Sequence, residues 1–358
     1  MFRSPLRRAV PLAAGLALTV GLAACGGTTQ DDASSQPSST GGAAASADPN
    51  APFKEGLDIT FIPKQLNNAY FDSMTSGGKE AMSELKGEFK LVGPNESNAS
   101  SQVSYINTLI QQKPAAIAIA ANDANAVCPA LNQARAAGIK VVTFDSDASP
   151  SCRDLFVNQT TIQGIGETLV KMTKDQIGSG EFAILSATPN ATNQNAWIEA
   201  MKVELAKPEN AGLKLVTTVY GNDQDQKSFQ ETQGLLQAHP NLKAIVAPTS
   251  VGIAAAARYV STSSYQGKVV VTGLGLPNEM RKYVKDGTVK QMALWDVPAL
   301  GYLAGFAAAS LASGQITGAE GEKFKAGKHN EYTVGADGEV VLGPPTVFTA
   351  ENIDQYQF

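Results

Sequence analysis

Ten polar residues stand where short apolar runs end: Lys64, Asn68, Asn122, Asp123, Asp145, Asp147, Asn193, Thr249, Ser250 and Asp296. Ammonium, amide, hydroxyl and carboxylate groups gathered this way can exchange hydrogen bonds with a polyol, the carboxylates accepting and the lysine donating. Asp145 and Asp147, two apart after Phe144, read in two ways. They could work as a general acid and base, or as paired acceptors for hydroxyls. Asp, Asn, Ser and Thr also end strands and cap helices, so each residue alone has a structural reading too.

Other chemistries lack their signatures. No Gly-Lys-Ser/Thr follows a glycine run, and the sequence contains neither Gly-x-Ser-x-Gly nor His-Glu-x-x-His. Gly164-Ile165-Gly166 and Gly273-Leu274-Gly275 each lack the third glycine of a dinucleotide fingerprint. The two histidines, His239 before Pro240 and His329 in a Lys- and Gly-rich stretch, have no metal-ligand spacing to a cysteine. We therefore expect no enzyme activity, no catalytic residue, no cofactor and no metal.

The elements that must position the polar residues alternate β-rich runs with longer helical stretches, the pattern of parallel sheets with crossover helices. Strands are expected at 58–62, 89–92, 115–120, 140–144, 155–158, 182–186, 214–219, 244–247, 269–272 and 291–295. Helices are expected at 70–85, 101–112, 124–137, 162–177, 194–205, 226–238, 251–259 and 298–312. Runs such as Ala115 to Ala120 and Lys140 to Phe144 are continuously apolar, as in strands covered on both faces. Ten strands suit two sheets of five or six better than one. The expected fold class is α/β, two doubly wound parallel-sheet lobes, with ligands outside the C-terminal strand ends.

Arg3, Arg7 and Arg8 precede the apolar run Ala9 to Gly21, and Leu22-Ala23-Ala24-Cys25 follows. This has the form of an export signal, and the small residues before the cysteine resemble the bacterial lipobox. We expect residues 1–24 to be a removed signal peptide, Cys25 to be lipidated, and 25–51, rich in Gly, Ser and Ala, to be a flexible tether. A plain secretory signal that happens to contain a cysteine is the alternative. Losing three arginines takes Lys+Arg from 28 to 25 against 33 Asp+Glu, a net charge near −8. That balance argues against nucleic acid as a partner. With Cys25 acylated, Cys128 and Cys152 remain as an even pair in an oxidising compartment, where a disulfide is expected; two small buried thiols are the other reading.

Several segments in order carry a family resemblance: Phe61-Ile62-Pro63-Lys64, Asn67-Asn68-Ala69-Tyr70-Phe71, Cys128-Pro129-Ala130-Leu131 and Phe144-Asp145-Ser146-Asp147 with Cys152-Arg153. They continue as Thr192-Asn193-Gln194-Asn195-Ala196-Trp197, Ala247-Pro248-Thr249-Ser250 and Leu294-Trp295-Asp296-Val297. Residues 57–358 thereby resemble type I periplasmic sugar-binding proteins of ABC importers, in the rhamnose-binding and autoinducer-2-binding branch. The resemblance implies two lobes joined by three crossovers that close on one small ligand. It places an N-terminal lobe at 52–156 plus about 297–326, and a C-terminal lobe at 157–296 plus about 338–358. Crossovers would fall near 156–158, near 295–297 and between about 326 and 338.

It further implies a sugar ligand held by Lys64, Asn68, Tyr70, Phe71, Asp145, Asp147, Asn193, Gln194, Pro248, Ser250, Trp295 and Asp296. For Asp147 a bracing role stays open, as does hinge packing for Trp295 and Asp296. Autoinducer-2 proteins carry Asp where this chain has Asn193, and Ala where it has Ser250. These departures point to a neutral deoxyhexose, rhamnose, with autoinducer-2 or another pentose or hexose as alternatives. The implied partners are an ABC permease and ATPase and, through the lipid anchor, the outer face of the cell membrane, with the protein a monomer. A sensor docking on a membrane kinase is the second reading.

Overall fold

A computed structural model describes residues 47–358. The expected signal peptide, the lipidation site Cys25 and the tether as far as residue 46 lie outside the described residues.

The first lobe begins with β1 (Asp58–Ile62), α1 (Ala69–Glu84), β2 (Glu88–Leu91), α2 (Ala99–Gln112), β3 (Ala116–Ile119), α3 (Cys128–Ala136), β4 (Lys140–Phe144) and β5 (Leu155–Asn158). Its strands pair in parallel, and every residue of β3 is buried, as its uninterrupted Ala-Ile-Ala-Ile run requires of a strand covered on both faces. The second lobe follows as α4 (Ile162–Ile177), β6 (Gly180–Ser186), α5 (Thr192–Leu205), β7 (Leu213–Tyr220), α6 (Asp225–Ala238), β8 (Leu242–Ala247), α7 (Ser250–Ser261), β9 (Val270–Gly273), α8 (Pro277–Lys285) and β10 (Met292–Leu294). Strands β7, β6, β8 and β9 form a parallel sheet in that order. A parallel bridge from Leu274 to Ala293 ties β10 to its edge.

The chain then returns as α9 (Val297–Ser313), a β11 (Lys323–Lys325) and β12 (Glu331–Thr333) hairpin, β13 (Glu339–Val341) and β14 (Thr346–Phe348). Helix α9 is apolar on all sides and nearly all of it is buried, because it lies between α1 and the first sheet. Glycines permit that approach. A Cβ on Gly77 would stand 1.8 Å from the Pro298 carbonyl oxygen, and one on Gly301 1.8 Å from that of Met74.

The main chain passes between the lobes at 159–161, at Trp295–Asp296 and at 342–345. The third passage differs from the expected 326–338. Strand β13 pairs in parallel with β5, Glu339 opposite Phe156 and Val341 opposite Asn158, completing a six-stranded sheet in the order β13-β5-β4-β3-β1-β2. The first lobe therefore runs to Val341, and what crosses back is β14, antiparallel to β10. The first boundary likewise lies beyond 156, since β5 stays paired with β4. Cys128 and Cys152 are bonded with their Cα atoms 5.3 Å apart, joining the start of α3 to the turn before β5.

Candidate functional site

The C-terminal ends of both sheets face one cleft. A small cavity lies there, between the two lobes. Lys64, Asn68, Tyr70, Phe71 and Asp145 line it from the first lobe; Asn193, Gln194, Pro248 and Ser250 line it from the second, and Trp295 from the crossover.

Lys64 leaves the end of β1 and is 5 % exposed. Asn122 holds it in place by donating Nδ2 to the Lys64 carbonyl at 2.8 Å. Lys64 Nζ donates to Asn193 Oδ1 across the cleft at 2.9 Å and stands 3.7 Å from Asp145 Oδ2. Asn68 caps α1, its Oδ1 accepting the Tyr70 N–H at 3.0 Å. The Tyr70 hydroxyl donates to Asp145 Oδ1 at 2.8 Å and accepts Trp295 Nε1–H at 3.1 Å, so three parts of the fold meet in one chain. Asp145 follows β4 with φ +59°, a left-handed conformation that Asp tolerates better than most residues. Backbone strain of this kind gathers at ligand sites.

On the second lobe, Asn193 lies in the first turn of α5 and donates Nδ2 toward the Asp145 main-chain oxygen and Oδ2, each at 3.4 Å. Gln194 Oε1 accepts from Ser186 Oγ at 2.7 Å and from the Ala187 N–H at 2.8 Å. Its carbonyl is thus occupied and its amino group is what remains for a ligand. Pro248 can offer only its carbonyl. Phe71, Trp197 and Trp295 give the cavity an aromatic wall of the kind that packs on apolar C–H faces.

Burial raises the carboxyl of Asp145 above the ordinary value, with Lys64 and the Tyr70 hydroxyl acting against that shift. Burial likewise raises Asp223, opposed by the Thr249 hydroxyl and by Lys64. The Tyr70 hydroxyl lies well above its ordinary value, first through burial and then through the Asp145 charge. It acts as a hydrogen-bonding group here, donating to Asp145 and accepting from Trp295.

Two expected contacts are corrected. Asp147 lines only the adjoining space that shares Asp145, Asn193 and Trp197 with this cavity: Arg153 Nε and Nη2 bind its carboxylate at 2.7 and 2.8 Å, and the Thr143 hydroxyl also donates to it. These bonds direct it into the first lobe as a brace. Asp296 is exposed, and its Oδ1 caps α9 by accepting the Ala299 N–H at 2.9 Å. Sequence reading missed Trp197, Asp223, Leu274 and Leu294, and named Thr249 among the strand-end polar residues without assigning it a ligand contact. Trp197 follows Asn193 by four residues and so shares its helix face, while the two leucines carried no signal that separates them from core.

Residues 59–316 match the family model described as a periplasmic binding protein domain, and the chain belongs to that extracytoplasmic family. Among solved structures it is similar to a sugar ABC transporter protein of Actinomyces odontolyticus, at 57% identity over 84% of this chain and 98% of that one, TM-score 0.69. A solute-binding protein of Clostridium phytofermentas with bound L-rhamnose shares 38% identity over 85% and 99% of the two chains, TM-score 0.81. LsrB from Clostridium saccharobutylicum, in complex with AI-2, shares 27% over 84% and 99%, TM-score 0.79. The paired parallel-sheet lobes are those of the type I sugar-binding proteins. Among the described residues, no helix is long and apolar enough to cross a membrane.

Proposed function

We propose that this protein is the solute-binding component of an ABC sugar importer and that its ligand is rhamnose, carried unchanged to a membrane permease and its ATPase. The observation that carries this reading is the cluster of Lys64, Asp145 and Asn193, which joins both lobes at the aromatic-walled cavity. The aromatic wall suits a ring with one apolar edge, such as a 6-deoxy sugar. The rhamnose-bound relative shares more of the sequence than the AI-2-bound one, and this favours the deoxyhexose. Autoinducer-2 or another pentose or hexose is the second reading. The neutral Asn193 amide counts against autoinducer-2.

Under this reading, closure is a hinge motion about the three crossovers, driven by a ligand that touches both lobes. Cys25 as a lipid anchor, a monomeric state, and a Cys128–Cys152 bridge oxidised outside the cytoplasm belong to the same proposal. Docking of the closed form on a membrane kinase in place of a permease would make the protein a sensor. Titration calorimetry on the full-length protein tests the ligand. Saturable binding of L-rhamnose is expected; binding of autoinducer-2 with no heat from L-rhamnose overturns it. A thiol assay after denaturation without reductant should find no reactive group from Cys128 or Cys152.

A further inference from the structure

The second lobe meets the cavity with one carboxylate, Asp223, in the turn between β7 and α6. Asn222 and Asp223 have φ of +57° and +51°, two successive left-handed residues of the types that adopt this region most readily after glycine. The Thr249 hydroxyl donates to Oδ1 at 2.5 Å, and Gln65 of the first lobe donates Nε2 to the Asp223 main-chain oxygen at 3.2 Å. No donor among the described residues reaches Oδ2. Turn geometry, Thr249 and the contact across the cleft thus hold the residue while one carboxylate oxygen stays free at the cavity.

We propose that Asp223 is a specificity-determining residue, whose free Oδ2 accepts a ligand hydroxyl on the second-lobe side while Asp145 accepts on the first-lobe side. The proposal rests on the sugar-binding reading and names the ligand class more closely: a neutral polyol with hydroxyl donors toward both lobes. Among the described residues, two carboxylates and one ammonium, that of Lys64, line this cleft. A ligand bearing its own carboxylate or phosphate adds like charge where little water remains, and the site rejects it. A neutral hydroxyl donates instead, and hydrogen bonds to an ionised acceptor are among the stronger ones.

The test measures binding of L-rhamnose and of L-rhamnonate, its anionic counterpart, to the full-length protein and to Asp223→Asn. Asparagine preserves size and tolerates the left-handed turn, so the melting temperature of the empty variant should stay close to wild type. Wild type should bind L-rhamnose and refuse L-rhamnonate. Asp223→Asn should weaken L-rhamnose by roughly ten- to a hundred-fold and narrow the gap between the two ligands. An unchanged L-rhamnose affinity in Asp223→Asn overturns the proposal and leaves the sugar-binding reading standing, as does equal binding of both ligands by wild type. Wild type binding neither ligand nor any other neutral sugar overturns the reading and the proposal together. If Asp223→Asn does not fold, Thr249→Val decides: a several-fold loss is expected, and no loss counts against the role.

Discussion

Lys64 and Asn193 are joined across the cleft, the first-lobe ammonium donating to the second-lobe amide at 2.9 Å. The same ammonium stands 3.7 Å from Asp145 and is the positive group nearest that buried carboxylate. One side chain therefore links lobe closure to the charge balance of the site. Replacing it with an uncharged residue leaves Asp145 buried without its cation, a costly arrangement. Lys64→Met should lower sugar affinity by at least a hundred-fold, measured by calorimetry. Wild-type affinity in this variant would show that Lys64 neither touches the ligand nor supports the closed form.

Asp147 is predicted to behave in the opposite way to a ligand contact. It is held by Arg153, whose side chain is 3 % exposed, and the pair lines an adjoining space, not the cavity around Lys64. Removing one partner strands the other in a poorly solvated place. Asp147→Asn should cost about 3 kcal/mol of stability in urea unfolding, with sugar affinity changed only a few-fold. A large loss of affinity without loss of stability would return Asp147 to the site.

The chain has two tryptophans, and both Trp197 and Trp295 line the cavity, with ring centres 5.9 Å apart. Tryptophan emission is consequently a direct signal from the site. It should change saturably with sugar at the calorimetric midpoint. Trp295→Phe, which deletes the bond to the Tyr70 hydroxyl, should weaken binding about ten-fold. Emission that stays constant at saturating sugar would contradict the placement of both rings.

The raised carboxyls of Asp145 and Asp223 give a pH dependence of definite sign. A carboxyl raised on folding contributes stability that is complete below its unfolded value, about 4, and is lost as pH climbs through its folded value. The empty wild type should accordingly gain on Asp145→Asn in melting temperature as pH falls from 7 toward 4. Sugar affinity should fall over the same window, because a protonated carboxyl is the weaker acceptor. A melting-temperature difference independent of pH would contradict the burial of Asp145.

Elements built on a continuous apolar run were legible, and those without one were not. Strands β1, β4 and β5 have the expected bounds, since a continuous apolar run bounded by turn residues has few other uses. Strand β13 holds three residues, too few to show a period, and its place beside β5 is decided by tertiary pairing. Helix α8, opened by Pro277, has four charged residues among its nine and no continuous apolar run, and went unread. In the site, Lys64, Asp145 and Asn193 were found by their positions at strand ends and by family resemblance. Asp223 also follows a strand, β7, and meets the same positional rule, but its Gly-Asn-Asp setting reads as an ordinary turn.

Helix α9, which fills the first lobe between α1 and the sheet, and β13, which completes that sheet, are encoded near the end of the chain. The ribosome thus releases β1 to β5 long before the pieces that finish their core. Until α9 arrives, the faces of α1 and of the first sheet that it covers have no partner. By the order of its segments alone, the first lobe can finish its packing only after the whole second lobe, α4 to β10, has been made.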